Sequence, residues 1–298
     1  MKIGTYSTFE FLLNKALYLN QKTIGLAVDK YSALCHNFFT KNLLTAISIS
    51  KLVHPSPNIY LHPVYRTFTF NDPMSALTLV RNMFEAYVNM YYLLINNSTV
   101  DEKEFKFLLW ERFWRSERQK MAELKNMEND KIVKERNEIE EISNRLIKHE
   151  YYNKLNEKQQ KYFLYPKNWS NYNMTDRAKM TNIEKNKAEY MYKFLSQYAH
   201  SNSFAMMQFG SVENNNGFEK GITDLVMSYT EVILALTIDI SKQKFVEIES
   251  EINEDQKLKL LINLWKSYYS KPKEKTEHKK NNHNTSQNVK CQSNIKTY

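Results

Sequence analysis

The sequence predicts an all-α fold, an irregular bundle of about seven or eight helices with a protruding charged helical hairpin. Three observations carry that reading. Only five glycines and six prolines occur in 298 residues, too few to supply the turns of a multi-stranded sheet. Long uninterrupted runs rich in Leu, Met, Lys, Glu and Gln favour helix. At 42% hydrophobic and 13% aromatic residues, the chain can bury a sizeable core.

The elements follow in order. Ser7 to Leu52 reads as helical, broken near Asn20 to Thr23, with Thr23 able to cap the second segment. Pro55 and Pro57 stop it, and Asn58 to Phe70 reads as an irregular connection. Asp72 and Pro73 then supply an N-cap and a first helical position for an apolar helix running through Ile95. Asp101, with Glu104 three residues on, opens a helix to about Asn126. Asn129 to Leu155 follows, with Ile132, Ile139, Ile142 and Leu146 forming a narrow apolar seam, so residues 101–155 are expected to pair as the hairpin. Phe163 to Asn182 reads as a loop with one helical turn around Asp176 to Met180. Helix resumes from Glu184 through Tyr198, a second loop spans Ser211 to Gly217, and helices follow over Ile222 to Ile240 and Glu249 to Tyr269. Residues 1–270 are expected to form one domain, and residues 271–298 a disordered basic tail.

Net charge is +9, and Lys271 to Tyr298 holds seven lysines against two glutamates, a net +5. Such a tail could hold nucleic acid weakly and with strong salt dependence, although Lys- and Asn-rich ends are more often simply solvating. Cys35 and Cys291 lie 256 positions apart, the second in the tail, so no structural disulfide is expected. The chain opens without a basic and apolar leader, and its longest apolar run, Leu225 to Ile238, is about 14 residues and holds Glu231, where a spanning helix needs about 20. These features point to a cytoplasmic protein with no membrane contact. His54 and His62, and His149 beside Glu150, match no metal-ligand spacing, and no phosphate loop, nucleophile elbow or dinucleotide fingerprint occurs. No metal or cofactor is expected.

Candidate chemistry resides in polar interruptions of apolar helices. Arg81, Glu85 and Asn89 fall at i, i+4 and i+8 and line nearly one face. That face serves either as an internal pair tying two helices together or as a pocket whose guanidinium holds an anion such as phosphate. Ser196, His200 and Ser203, with Tyr192 nearby, repeat the arrangement on another helix. A histidine there is either a cation stabilised by the helix end or a general acid or base. Glu231 interrupts a third apolar helix and is a natural partner for Arg81 or His200. Arg112, Arg115 and Arg118 sit beside Trp110 and Trp114, but Glu111, Glu117 and Glu123 interleave with them, as on a solvated charged face.

The run Arg81-Asn-Met-Phe-Glu85-Ala-Tyr, followed by Trp169, Met180 and Tyr192-Lys-Phe-Leu-Ser196-Gln-Tyr-Ala-His200-Ser201, resembles an uncharacterised bacterial helical family catalogued as domain-of-unknown-function family 5677. The resemblance covers roughly Asp72 to Ile240, implies no activity, and leaves the hairpin and tail outside what it explains. A weaker likeness is to HEPN-type helical domains of toxin and antiphage ribonucleases, in which an Arg is followed by a polar residue and, four to six residues after the Arg, by a His. Here Arg81-Asn82 supplies the first part, while positions 85–87 read Glu, Ala and Tyr, so the histidine would have to be His200 from another helix. Arg145 and His149 have both residues, one position too close and with Leu146 in place of the polar residue. The likeness implies an RNA-directed protein, a metal-independent ribonuclease in a defence or toxin role. The competing expectation is a non-catalytic interaction module in which Arg81, Glu85 and His200 form a buried network.

Overall fold

The structure, a computed structural model, describes residues 4–26, 29–54, 56–59, 68–97, 99–200, 203–212 and 216–270. Among the described residues the regular elements are helices, apart from one short antiparallel ribbon and an isolated bridge between Ile183 and Ser270. The helices are α1 (Tyr6–Lys22), α2 (Lys30–Val53), α3 (Pro73–Leu94), α4 (Val100–Leu124), α5 (Asp130–Lys148), α6 (Glu150–Asn153), α7 (Glu157–Phe163), α8 (Met174–Lys179), α9 (Lys185–Ala199), α10 (Ser203–Val212), α11 (Asn216–Ser241), α12 (Val246–Glu254) and α13 (Gln256–Tyr269). The ribbon pairs β1 (Ser56–Ile59) with β2 (Phe68–Phe70); the sequence suggested an irregular connection from Asn58 to Phe70, and the first strand begins two residues before it. His62 and the basic tail lie outside the described residues.

Thirteen helices among the described residues replace the expected seven or eight: capping side chains cut two long helical patterns in two, and the short α7 and α10 form where no helix was expected. His149 adopts extended backbone and its Nδ1 accepts the Tyr151 N–H, ending α5 and starting α6 where one helix to Leu155 was expected. Asp255 does the same between α12 and α13, accepting from the Leu258 N–H. Two predicted caps move. Thr23 closes α1 while Asp29 caps α2, and Thr99 caps α4 while Asp101 falls in its first turn. The capping role passes to whichever side chain sits on extended backbone just ahead of the first helical turn.

The core is organised by α3 and α11. α3 packs against α2, α9 and α11, and α11 also covers α1, α2 and α13. Between Val232 and Leu236 every α11 side chain is buried. α11 is long and apolar enough to cross a membrane, but 72% of its most apolar window is buried by the surrounding helices, which is how a core helix reads. α4 and α5 form the predicted pair. Phe105, Leu108, Leu109, Ile142 and Leu146 join the main core, whereas Ala122 and Ile132 are buried apart from it. The far end of the hairpin therefore buries its apolar residues mainly against itself.

Arg115 of α4 reaches Glu111 at 2.9 Å and Glu138 of α5 at 3.0 Å, and Arg118 pairs with Glu135. Of the interleaved carboxylates only Glu111 serves these two arginines; their other partners, Glu138 and Glu135, come from α5. Arg112 corrects the solvated-face reading: it is buried and donates to the carbonyls of Phe163 at 2.6 Å and Tyr165 at 3.4 Å, tying α4 to the end of α7. Burial pushes its guanidinium down to about 10.

Candidate functional site

α3 is aimed by its N-terminus. Asp72 accepts the Ser75 N–H at 2.9 Å and Pro73 occupies the first turn, fixing the helix start eight residues before Arg81. α9 is held by Glu184, which accepts from the N–H groups of Asn186 and Lys187, both at 3.0 Å. It ends at His200, whose own N–H donates to the Ser196 carbonyl at 3.3 Å. Because α3 and α9 pack side by side, the polar face of the first meets the C-terminal end of the second.

The two polar interruptions do come together. Arg81 Nη2 lies 3.0 Å from Glu85 Oε1, its Nη1 lies 3.1 Å from His200 Nε2, and its Cζ sits 5.5 Å from the centre of the Tyr192 ring. A guanidinium only donates, so the contact with His200 requires an unprotonated Nε2 and places the imidazole proton on Nδ1. The cluster is open on the imidazole side. His200 is exposed, while the Arg81 and Glu85 side chains retain 16% and 28% of their accessible surface. The Arg81 Nε is sealed and unbonded.

Other expected members stand apart. Ser196 donates to the Tyr192 carbonyl one turn back at 2.7 Å, satisfying itself within its own helix, and has no bond to Arg81, Glu85 or the His200 ring. Asn89 is one turn beyond Glu85, with its Oδ1 sealed and unpartnered. Ser203 is exposed at the start of α10.

Glu231 is a correction. It partners neither Arg81 nor His200 but accepts from the Thr8 hydroxyl at 2.8 Å, the Trp265 indole N–H at 3.0 Å and the Gly4 N–H at 3.3 Å. Gly4 is required there: its φ is +70°, and a Cβ would sit 2.5 Å from the Ser228 hydroxyl. Glu231 is fully buried, and burial raises its pKa although the three donors pull it back. It is a structural tie between the chain start, α11 and α13. The sequence could not distinguish this partner set because the donors come from Gly, Thr and Trp, which carry no charge signal.

Sequence reasoning also passed over Arg177, on the short α8. It is buried, its guanidinium lies 4.2 Å from the Trp169 ring and 6.0 Å from the Tyr92 ring, and its Nε is sealed without a partner. Burial lowers its pKa, while the charges of Tyr92, Glu85 and Tyr192 hold it up. Nothing at the level of spacing marked it, because Arg177 sits next to Asp176 and reads as an ordinary charged turn. Among the described residues, no group of three or more His, Cys, Asp or Glu side chains is placed to hold a metal ion.

The sequence profile of a family of unknown function, DUF5677, matches residues 33–218, more than half of the chain. The match begins well before Asp72, taking in most of α2 and the whole charged hairpin, and stops before most of α11 and Glu231. It includes Arg81, Glu85, Trp169, Arg177, Tyr192 and His200. No curated protein and no solved structure gives a significant match to the chain.

Proposed function

The chain belongs to DUF5677, a family of unknown function, and on that premise we propose that it is an RNA-directed helical protein acting as a metal-independent ribonuclease in a defence or toxin role. The observation that carries this reading is the Arg81 guanidinium shared between Glu85 at 3.0 Å and an exposed His200 ring at 3.1 Å. A phosphodiester offers the oxygens that a guanidinium fork recognises. In the reading, Arg81 holds a phosphate oxygen and stabilises the charge that develops on it, and Glu85 keeps Arg81 oriented. His200, freed from Arg81 by the phosphate, takes the proton from a ribose 2′-hydroxyl as its oxygen attacks phosphorus. The bond to the 5′-oxygen then breaks, and that oxygen takes a proton from solvent.

The reaction class is taken from the weaker sequence likeness to HEPN-type ribonucleases, and the reading departs from that pattern in drawing Arg and His from two packed helices instead of one. The basic segment 271–298 would add salt-sensitive affinity for a polyanion, in a cytoplasmic setting. The test is His200→Ala. It should abolish RNA cleavage, or toxicity on expression, while the variant still melts cooperatively; cleavage at the wild-type rate defeats the assignment.

A second reading rests on Glu85. Because it already neutralises Arg81 from one turn away, the cluster also suits a non-catalytic interaction module in which Arg81, Glu85 and His200 fix the register of α3 against α9. It predicts no turnover of nucleic acid and a large stability loss when Arg81 is truncated.

A further inference from the structure

A buried guanidinium ordinarily has a carboxylate or a set of carbonyls, because leaving its charge unpaired is costly. Arg112 meets that rule through two carbonyls. Arg177 does not. It is 8% exposed, and its guanidinium has no hydrogen bond or ion pair with any described residue. Of its three nitrogens only Nε is both sealed and unbonded, so the two terminal nitrogens keep access to solvent. The faces of Trp169 and Tyr92 offset part of the cost, but an aromatic face does not satisfy N–H donors lying in the guanidinium plane.

The surroundings of Arg177 are those of the Arg81 cluster. α8 packs on both α3 and α9, the helices that carry the cluster. Tyr92, under Arg177, lies on α3 beyond Glu85 and Asn89, and Asn89 also has a sealed, unbonded oxygen. Glu85, which contacts Arg81 directly, is also close enough for its charge to act on Arg177. Glu85 is the carboxylate in contact with Arg81 and lies beyond ion-pair range of Arg177. Arg177 therefore keeps its positive charge in the seam between α3, α8 and α9 with no described carboxylate in contact, while Glu189 of α9 is taken up by Lys179 and Lys193.

We propose that Arg177 is a second phosphate-binding residue of this site, supplying its terminal N–H groups to a phosphate of the ligand that Arg81 engages. The inference rests on the phosphate-directed reading of the Arg81 cluster and adds a residue to it. The phosphate can belong to an RNA backbone or to a free phosphate compound, and two probes separate these sources.

Binding of a fluorescein-labelled 12-nucleotide single-stranded 2′-O-methyl RNA, which lacks the attacking hydroxyl and stays intact, is measured by anisotropy across a salt series, with inorganic pyrophosphate as competitor, for wild type, Arg81→Gln, Arg177→Gln and Arg177→Lys. Arg177→Gln should weaken RNA binding about ten- to a hundredfold and lower the slope of log affinity against log salt by about 0.7 to 1. Arg177→Lys, which keeps the charge but loses the fork, should keep the slope and still bind more weakly. Competition by pyrophosphate assigns the site to free phosphate compounds as well; its absence, with the Arg177→Gln loss intact, assigns it to the RNA backbone. Wild-type affinity and slope in a folded Arg177→Gln overturn the inference, as does wild-type affinity in Arg177→Lys should the Gln variant not fold. If Arg81→Gln loses binding while the Arg177 variants do not, this inference alone fails. If wild type binds neither probe, the phosphate-directed reading fails with it.

Discussion

Replacing Arg81 by Gln separates the two functional readings by magnitude. In a sealed network, removing one partner of an ion pair leaves a buried charge and costs about 3–5 kcal/mol. Here the Glu85 side chain retains 28% of its surface and His200 is exposed, so both can turn to water when the guanidinium is gone. What is lost is a partly screened i,i+4 pair, about 0.2–1 kcal/mol, and the stacking of the guanidinium on Tyr192, about 0.5–1 kcal/mol. The expected destabilisation is therefore about 1–2 kcal/mol. Urea unfolding followed by far-UV circular dichroism reads it as a shift in midpoint at unchanged m. A loss above about 3 kcal/mol would refute the open-cluster reasoning and favour the register-fixing network.

Glu231 predicts the opposite pattern. Glu231→Ala removes the acceptor of the buried Trp265 indole N–H, at about 1–3 kcal/mol, and of the part-buried Gly4 N–H, and a variant as stable as wild type in urea would contradict the assigned bonds. Because its folded pKa is raised, the folded chain holds this proton to higher pH than the unfolded chain, whose ordinary value is about 4.3. Its contribution to stability therefore falls as pH rises from about 4.3 through the folded pKa, then stays level. Glu231→Gln, which does not ionise, should remove that fall, so its stability relative to wild type should increase over that window; a constant difference across it would contradict the shift. Cys35 is buried against the Ser241 hydroxyl at 3.7 Å, and burial pushes its thiol up to about 11. Iodoacetamide at pH 8 should leave Cys35 unlabelled in the folded protein and label it in urea, as read by peptide mass spectrometry; equal labelling would contradict its burial.

What the sequence disclosed depended on how local each signal was. Asp72-Pro73 and the apolar run behind it are contiguous, so α3 was legible to within a residue of its end. The meeting of Arg81 with His200 was legible as a possibility, because each broke an apolar face; the packing of α3 on α9 that realises it is a long-range fact. The division of the Asn129 to Leu155 stretch was hidden in His149, whose ring nitrogen acts as a cap in place of the usual Asp, Asn, Ser or Thr. Glu231 was recognised as an interruption but given the wrong partners, since Thr8, Gly4 and Trp265 reach it from opposite ends of the chain. Arg112 looked like a surface charge and Arg177 drew no notice because each has an acidic neighbour in sequence, while their neighbours in space are carbonyls and aromatic rings.

The most direct measurement observes the His200 ring itself. Long-range proton–nitrogen correlation spectra of 15N-histidine-labelled protein, assigned with His200→Ala, report which ring nitrogen carries the proton and whether the ring responds to ligand. In the free protein at pH 8 the His200 ring should show an unprotonated Nε2, as acceptance from Arg81 requires. Titration with a short single-stranded 2′-O-methyl RNA, which cannot be cleaved, should shift both ring nitrogens in proportion to occupancy. A ring protonated on Nε2 in the free protein, or one that stays unmoved as RNA saturates the chain, would contradict a phosphate-directed site at Arg81 and His200.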